Sequence, residues 1–374
     1  MSSTERIKTF LQEAQESGIF PGASLLVAEG GELVFEHVLG MAACHEEPRA
    51  MTERIRFDLA SLTKAVGTSL AAMIAVAEGL ASLEEPLGER LPLPVALARQ
   101  PVWHLLAHSS GLPAWAPLYE EVDRAVLRGE ASSDRASRRA WMRNRVATTA
   151  LEYRPGEVSL YSDLGFMVLE WWLETIFGER LDAVLEERVF SPLSLADTGY
   201  VDLDASERQP PELFAATERC PTRGRIISGE VHDLNTWAMG GICGQAGIFS
   251  TARDLHALLG SLWRSWCGVE KEPIPCEVIR RFWTPCSVPG SAFRLGWDGP
   301  SREGYSSAGR HMPAEAVGHL GFTGCSLWLA PSPGLWVIFL SNRVHPSVAR
   351  VGIREFRPAL HDLVLGELGL GARR

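Results

Sequence analysis

The sequence predicts an α/β (α+β) fold in which one α/β domain is split in the chain by an all-helical one. Three observations predict it. Strand-like runs gather near the N-terminus and again in the last third, while residues 81–235 read as helical segments separated by Pro/Gly turns. The segment SLTKAVGTSLAAMIAVAEGL, residues 61–80, is Ala-rich and apolar nearly all round, which predicts a buried helix. A chain of 374 residues also exceeds the size at which a single hydrophobic core keeps growing. The expected division is residues 1–80 with 236–374 as a discontinuous α/β domain, and residues 81–235 as the inserted helical domain.

The elements follow in order. MSSTERIKTFLQEAQESG opens on an amphipathic helix with Ser3 or Thr4 as its N-cap. ASLLVAEGGELVFEHVLGMA carries two β-branched and apolar runs about the Glu29-Gly30-Gly31 turn, a hairpin signal. Within the insert, helices are expected over residues 101–107, 140–149, 164–177 and 181–189. IFSTARDLHALLGSL reads as a turn capped by Ser250 or Thr251, then a helix. HLGFTGCSLWLAP and GLWVIFLSNRV read as a strand pair joined at Pro331-Ser332-Pro333-Gly334, and a last helix covers about residues 347–367. No internal repeat or low-complexity tract occurs.

Composition narrows the function. Hydrophobic content of 46% and charged content of 22% describe an ordinary globular protein. A net charge of −10 argues against a nucleic-acid partner, and the nearest basic cluster, Arg135, Arg138, Arg139, Arg143 and Arg145, has the spacing of a solvated helix face. Seven scattered cysteines form no CxxC pair and no zinc-ligand grouping, so reduced thiols in a reducing compartment are expected. The N-terminus lacks the layout of a signal peptide and no apolar run is long enough to span a bilayer. A cytoplasmic protein without a membrane partner is the expectation.

Chemistry enters with a lysine. Of 36 cationic residues only Lys8, Lys64 and Lys271 are lysines. Lys8 and Lys271 sit among charges, as a surface residue would, whereas Lys64 sits in an apolar run three residues after Ser61. Arginine stays protonated, but a lysine can be tuned to act as a base. Three apart on a helix, Ser61 and Lys64 share one face. At a helix start the serine's own N–H is free to stabilise an oxyanion. The positive end of the helix dipole is expected to lower the Lys64 pKa toward that of a base. A plain capping serine with a lysine in the first turn has the same spacing, so this pair needs company.

Company comes from two further segments. In RPGEVSLYSDLGF a Pro-Gly turn leads to Tyr161, with Asp163 placed to cap the next helix; a tyrosine beside a lysine can serve as a general base. Tyr200-Val201-Asp202 has the same Y-x-D spacing, but no helix is expected after it. In GHLGFTG, residues 318–324, glycines let backbone approach a ligand at the start of a strand that also carries His319.

In order and context these three segments resemble the serine β-lactamase and penicillin-binding-protein superfamily, with its S-x-x-K and K-T-G elements. The likeness is greater to the class C β-lactamase-like serine hydrolases of the esterase type, where the second motif is Y-x-N and the third K-T-G or H-x-G. PGASLLVAEGGELVFEHVLG, LLAHSSGLP, GEVHDLNTWAMGGICGQAGIFSTARDL and SNRVHP also look like family segments, so the resemblance spans nearly the whole chain. It implies a β-lactamase/transpeptidase-like fold, an antiparallel sheet flanked by helices plus the helical domain. It implies Ser61 as nucleophile of an acyl-enzyme, Lys64 and Tyr161 as the base pair, and the N–H groups of Ser61 and Phe322 as oxyanion hole. His319 would take the place of the K-T-G lysine, and Asp163, His319, Gly321 and Arg343 would touch substrate. Two departures matter: Asp163 replaces an amide with an anion, and a near-neutral His319 supplies less positive charge than lysine. His232 and Asp233 are candidates to line the cleft, with a loop-stabilising hydrogen bond expected of them in preference to catalysis.

Three functions of different kinds stay open: a hydrolase of small esters or amides, a D-amino-acid-directed peptidase or β-lactamase, and a sensor that keeps the fold without turnover. The intact Ser61, Lys64 and Tyr161 set argues against the last. No metal or organic cofactor is expected; the partner is a small ester, amide or short peptide.

Overall fold

Both ends of the chain build one sheet. The computed structural model describes residues 2–45, 47–269, 272–301 and 303–370; Lys271 lies outside them. The N-terminal strands are β1 (Gly22–Glu29), β2 (Glu32–Ala43), β3 (Arg49–Ala50) and β4 (Phe57–Asp58). Short strands β5 (Gly199–Tyr200), β6 (Arg219–Cys220), β7 (Arg225–Ile226) and β8 (Ile248–Ser250) follow. The C-terminal strands are β9 (Val317–Leu320), β10 (Ser326–Ala330) and β11 (Leu335–Ser341). The main sheet has the order β3-β2-β1-β11-β10-β9 with antiparallel neighbours. Gly30 and Gly31, both at positive φ, close the β1–β2 hairpin as its sequence predicts.

Strand alternation explains why β1 and β11 read as unbroken apolar runs: both faces are covered. Leu26, Ile338 and Leu340 enter the larger core toward the helices, while Leu25, Val27, Val337 and Phe339 pack under the terminal helices Ser3–Glu16 and Ile353–Leu368. The first helix is capped one residue earlier than expected, by Ser2, whose Oγ accepts the Glu5 N–H.

Helices are the main regular structure of residues 81–235, but the segment is not all-helical as expected: it also carries β5, β6 and β7 and long irregular stretches. The larger core runs unbroken from the sheet into this segment through Trp172 and Leu173. The Ala-rich segment is buried as predicted: a π-helical turn, Lys64–Thr68, leads into the α-helix Ser69–Ala77. The arginine cluster departs from expectation. Arg139 and Arg143 turn inward and pair with Glu170 and Glu174 on the helix Asp163–Phe177, because that helix offers two acids to the same face. None of the described helices is long and apolar enough to cross a membrane, and all seven cysteines are free thiols.

A second sheet, β4-β8-β5, positions the chemistry. Strand β4 leads directly into Ser61, and β8 follows Gln245.

Candidate active site

Ser61 stands on a strained turn. Ala60 adopts φ +46°, the left-handed region that non-glycine residues avoid. Asp58 holds it there. Its Oδ1 accepts the Ala60 N–H at 2.8 Å, its Oδ2 accepts the His232 N–H at 2.6 Å, and its carbonyl accepts the Thr323 hydroxyl at 2.6 Å. One buried carboxylate residue thus ties the serine turn to the 232 loop and to the end of β9. Among the described residues the N–H groups of Ser61 and Phe322 have no acceptor, as donors awaiting an oxyanion would.

Lys64 is fully buried and its ammonium is satisfied on three sides. Nζ donates to Ser61 Oγ at 3.1 Å and to the Gln245 carbonyl at 2.9 Å, and lies 2.6 Å from Asp163 Oδ1. The last contact is an ion pair whose angle is poor for a hydrogen bond. The Tyr161 ring centroid is 4.9 Å from the same nitrogen. Here the structure corrects the sequence reading twice. Ser162, not Asp163, caps the helix: its Oγ accepts the Gly165 N–H at 3.2 Å. Asp163 is thereby free to face Lys64. The lysine pKa is raised, not lowered; burial pulls it down, but Asp163 and then Tyr161 more than offset burial. Burial also raises the Tyr161 pKa, against the pull of Lys64. The resting site therefore holds an ammonium and a neutral phenol.

In the third segment His319 is neutral, as the sequence reading expects, while the nearby cation is not the expected arginine. His319 is buried, and its Nδ1–H donates to the Leu320 carbonyl at 2.8 Å. Burial first, then Lys64, lowers its pKa to about 3, so it is neutral across the physiological range. Gly321 is needed for space: a Cβ there would stand 2.5 Å from the Leu59 carbonyl, beside the serine turn. Arg343 does not line the cleft. Its guanidinium donates to the carbonyls of Phe322, Val348 and Arg350 and stacks 4.8 Å over the Phe322 ring. It positions Phe322 and is not itself exposed to substrate. Among the described residues lining the cleft the cation is Arg357, on the last helix, which donates to the Gly321 carbonyl at 2.6 Å. Burial lowers its pKa to about 10, which leaves it charged.

Supporting residues escaped the sequence reading. His108, in LLAHSSGLP, accepts the Ser162 N–H on Nδ1 at 3.0 Å and packs its ring 4.6 Å from that of Tyr161. Arg139 donates to the Ile242 carbonyl and Glu170 accepts the Gly244 N–H, which fixes the loop presenting Gln245 to Lys64. His232 and Asp233 do line the cleft. Asp233 caps the helix Leu234–Ala238 and accepts from Gln245 at 2.9 Å, while His232 Nε2 lies 3.2 Å from Glu218. Tyr200, the alternative tyrosine, donates to the Cys243 carbonyl and is not among the residues lining the cleft.

Ser61, Tyr161, Asp163, His319, Gly321 and Phe322 line one cleft of about 690 Å³. Its mouth is apolar, with Trp115 and Phe322 exposed by 49% and 55%. The cleft is large enough for a drug-sized molecule.

Comparison with known proteins bears on the family and the fold. The family model described as Beta-lactamase matches residues 7–359. A putative D-alanyl-D-alanine carboxypeptidase of Escherichia coli (strain K12) is 28% identical over 360 residues, covering 88% of this chain and 80% of the relative. An N-acetylmuramyl-L-alanine amidase of Bacillus subtilis (strain 168) is 29% identical over 362 residues, covering 88% and 78%. The solved structure of EstCE1, a hydrolase with promiscuous acyltransferase activity, shares the fold at a TM-score of 0.72 and 21% identity, over 97% of this chain and 98% of its own.

Proposed function

The chain belongs to the Beta-lactamase family, and from that premise we propose that it cleaves small esters or amides through an acyl-Ser61 intermediate. The observation that carries this reading is the buried Lys64 ammonium donating to Ser61 Oγ at 3.1 Å inside a cleft. Ser61 Oγ attacks the carbonyl carbon, and its proton passes to the base that Lys64 and Tyr161 provide once one of their protons has left. The N–H groups of Ser61 and Phe322 receive the oxyanion. The same pair returns the proton to the leaving group, and water then releases the acyl group. Asp163 sets the proton affinity of the pair; His319, Gly321 and Phe322 shape the wall against which the substrate lies.

A second reading, a D-amino-acid-directed carboxypeptidase or β-lactamase, draws support from Arg357, which brings a cation to the cleft, and from the relatives' names. The seven free thiols support a reducing compartment such as the cytoplasm.

Intact-protein mass spectrometry tests the reading. A fluorophosphonate should add one adduct, on Ser61, and benzylpenicillin little or none. Undiminished labelling of the Ser61→Ala variant would remove the serine from the mechanism; a stable penicilloyl adduct would favour the second reading.

A further inference from the structure

Among the described residues the cleft wall carries four carboxylates, and three have work. Asp163 faces Lys64, Glu218 faces His232, and Asp233 caps a helix and accepts from Gln245. The fourth is Asp298. Its backbone is clamped to β9, its N–H donating to the Gly318 carbonyl at 2.7 Å and its carbonyl accepting the Gly318 N–H at 2.9 Å. Its side chain is therefore held rigidly at the wall. One carboxylate oxygen, Oδ1, accepts the Gly299 N–H at 2.8 Å, and among the described residues the carboxylate has no ion pair. The cation that acts on it, Arg294, spends its guanidinium on the carbonyls of Ala292 and Ala314. Arg357, the one arginine among the described residues lining the cleft, donates to the carbonyls of Gly321 and Gly324.

An unmatched carboxylate in an apolar wall is costly, and a charge-assisted hydrogen bond from a ligand removes that cost. A part-buried anion facing a substrate cleft thus selects a cation with N–H donors. We propose that Asp298 is an ammonium-binding residue of this cleft, and that the substrate is an ester or amide bearing an unblocked primary amine. This deepens the hydrolase reading and rests on it for turnover, though not for binding. Burial, only partly offset by the Gly299 N–H and by Arg294, raises the Asp298 pKa to about 6, so the carboxylate is charged in neutral buffer.

Calorimetry separates the binding claim from the chemistry. Phenylalaninamide, in each enantiomer, and its N-acetyl derivative would be titrated into the unmodified protein and the Asp298→Asn variant near pH 7.5. At least one free-amine enantiomer should bind about tenfold or more tighter than its acetylated form, and the variant should lose that preference. A far-ultraviolet circular dichroism spectrum and a cooperative thermal transition, measured alongside, show that the variant is folded, and hydrolysis of p-nitrophenyl butyrate is measured separately on the unmodified protein. Equal affinities, no binding of either amine, or a preference that survives Asp298→Asn would overturn the assignment. Failure of butyrate hydrolysis by the unmodified protein would count against the esterase reading alone.

Discussion

The Asp163 carboxylate lies 2.6 Å from the Lys64 ammonium, in a site where the resembling hydrolases carry an amide. The ion pair stabilises the protonated lysine, and the Tyr161 phenol is also protonated, so on the proposed mechanism a proton must leave this pair before Ser61 can be activated. Such an enzyme gains activity as pH rises.

Replacing the acid should move that dependence. In Asp163→Asn the lysine loses its counter-charge while burial still opposes the ammonium, so its pKa falls. The acid limb of kcat/KM for p-nitrophenyl butyrate should shift to lower pH by about 1–3 units, the usual effect of one close opposite charge. A pH profile with an unmoved acid limb would show that Lys64 is not the group titrating.

Lys64→Arg tests the base directly. An arginine keeps the charge and cannot give up its proton, so turnover should fall on the order of 10³-fold, nearly as far as in Lys64→Ala. If single-turnover acylation by the arginine variant stays within a few-fold of the unmodified protein, the lysine serves only as a charge and Tyr161 alone moves the proton.

What the sequence made legible was local. Ser61 and Lys64 share a helix face, Tyr161 follows a Pro-Gly turn, and the hairpin about Gly30-Gly31 is written in adjacent residues. Long-range choices were not legible. Ser162 and Asp163 are both good capping residues, and only the packing of Ser162 Oγ against the Pro113 carbonyl, at 2.7 Å, decides which caps and which faces Lys64. Arg343 and Arg357 look alike in sequence; the first, in the turn just after β11, sits behind Phe322, and the second, on the last helix, reaches the cleft wall. The Arg139 and Arg143 spacing fits a wet helix face until Glu170 and Glu174 arrive on a neighbouring helix.

The neutral His319 makes a claim about substrate class. With a pKa near 3 it gains no charge between about pH 5 and 8, so lowering the pH within that range should not improve nitrocefin hydrolysis relative to p-nitrophenyl butyrate. Neutral short-chain esters should be the faster substrates throughout. His319→Lys, which brings a potential cation to the wall beside Tyr161, should raise the nitrocefin-to-butyrate ratio of kcat/KM by roughly ten- to a hundred-fold, the worth of one charge-assisted hydrogen bond. Efficient nitrocefin turnover by the unmodified protein, with butyrate no faster, would promote the β-lactamase reading.

Asp298 should cost stability in return for its place at the wall. Its folded-state pKa of about 6 exceeds the ordinary aspartate value of 3.8, so the folded protein binds this proton more tightly than the unfolded chain does. The stability it contributes is therefore present at low pH and declines as pH rises from about 4 to 6, with no further loss above. Two pKa units correspond to on the order of 2–3 kcal/mol. Asp298→Asn removes the titration, so the variant should be more stable than the unmodified protein near pH 7.5, and the difference should shrink by pH 4.5. Denaturant midpoints at the two pH values measure it. A variant less stable at pH 7.5, or a difference that ignores pH, would mean that the carboxylate has a partner in the folded protein and does not wait for one from the substrate.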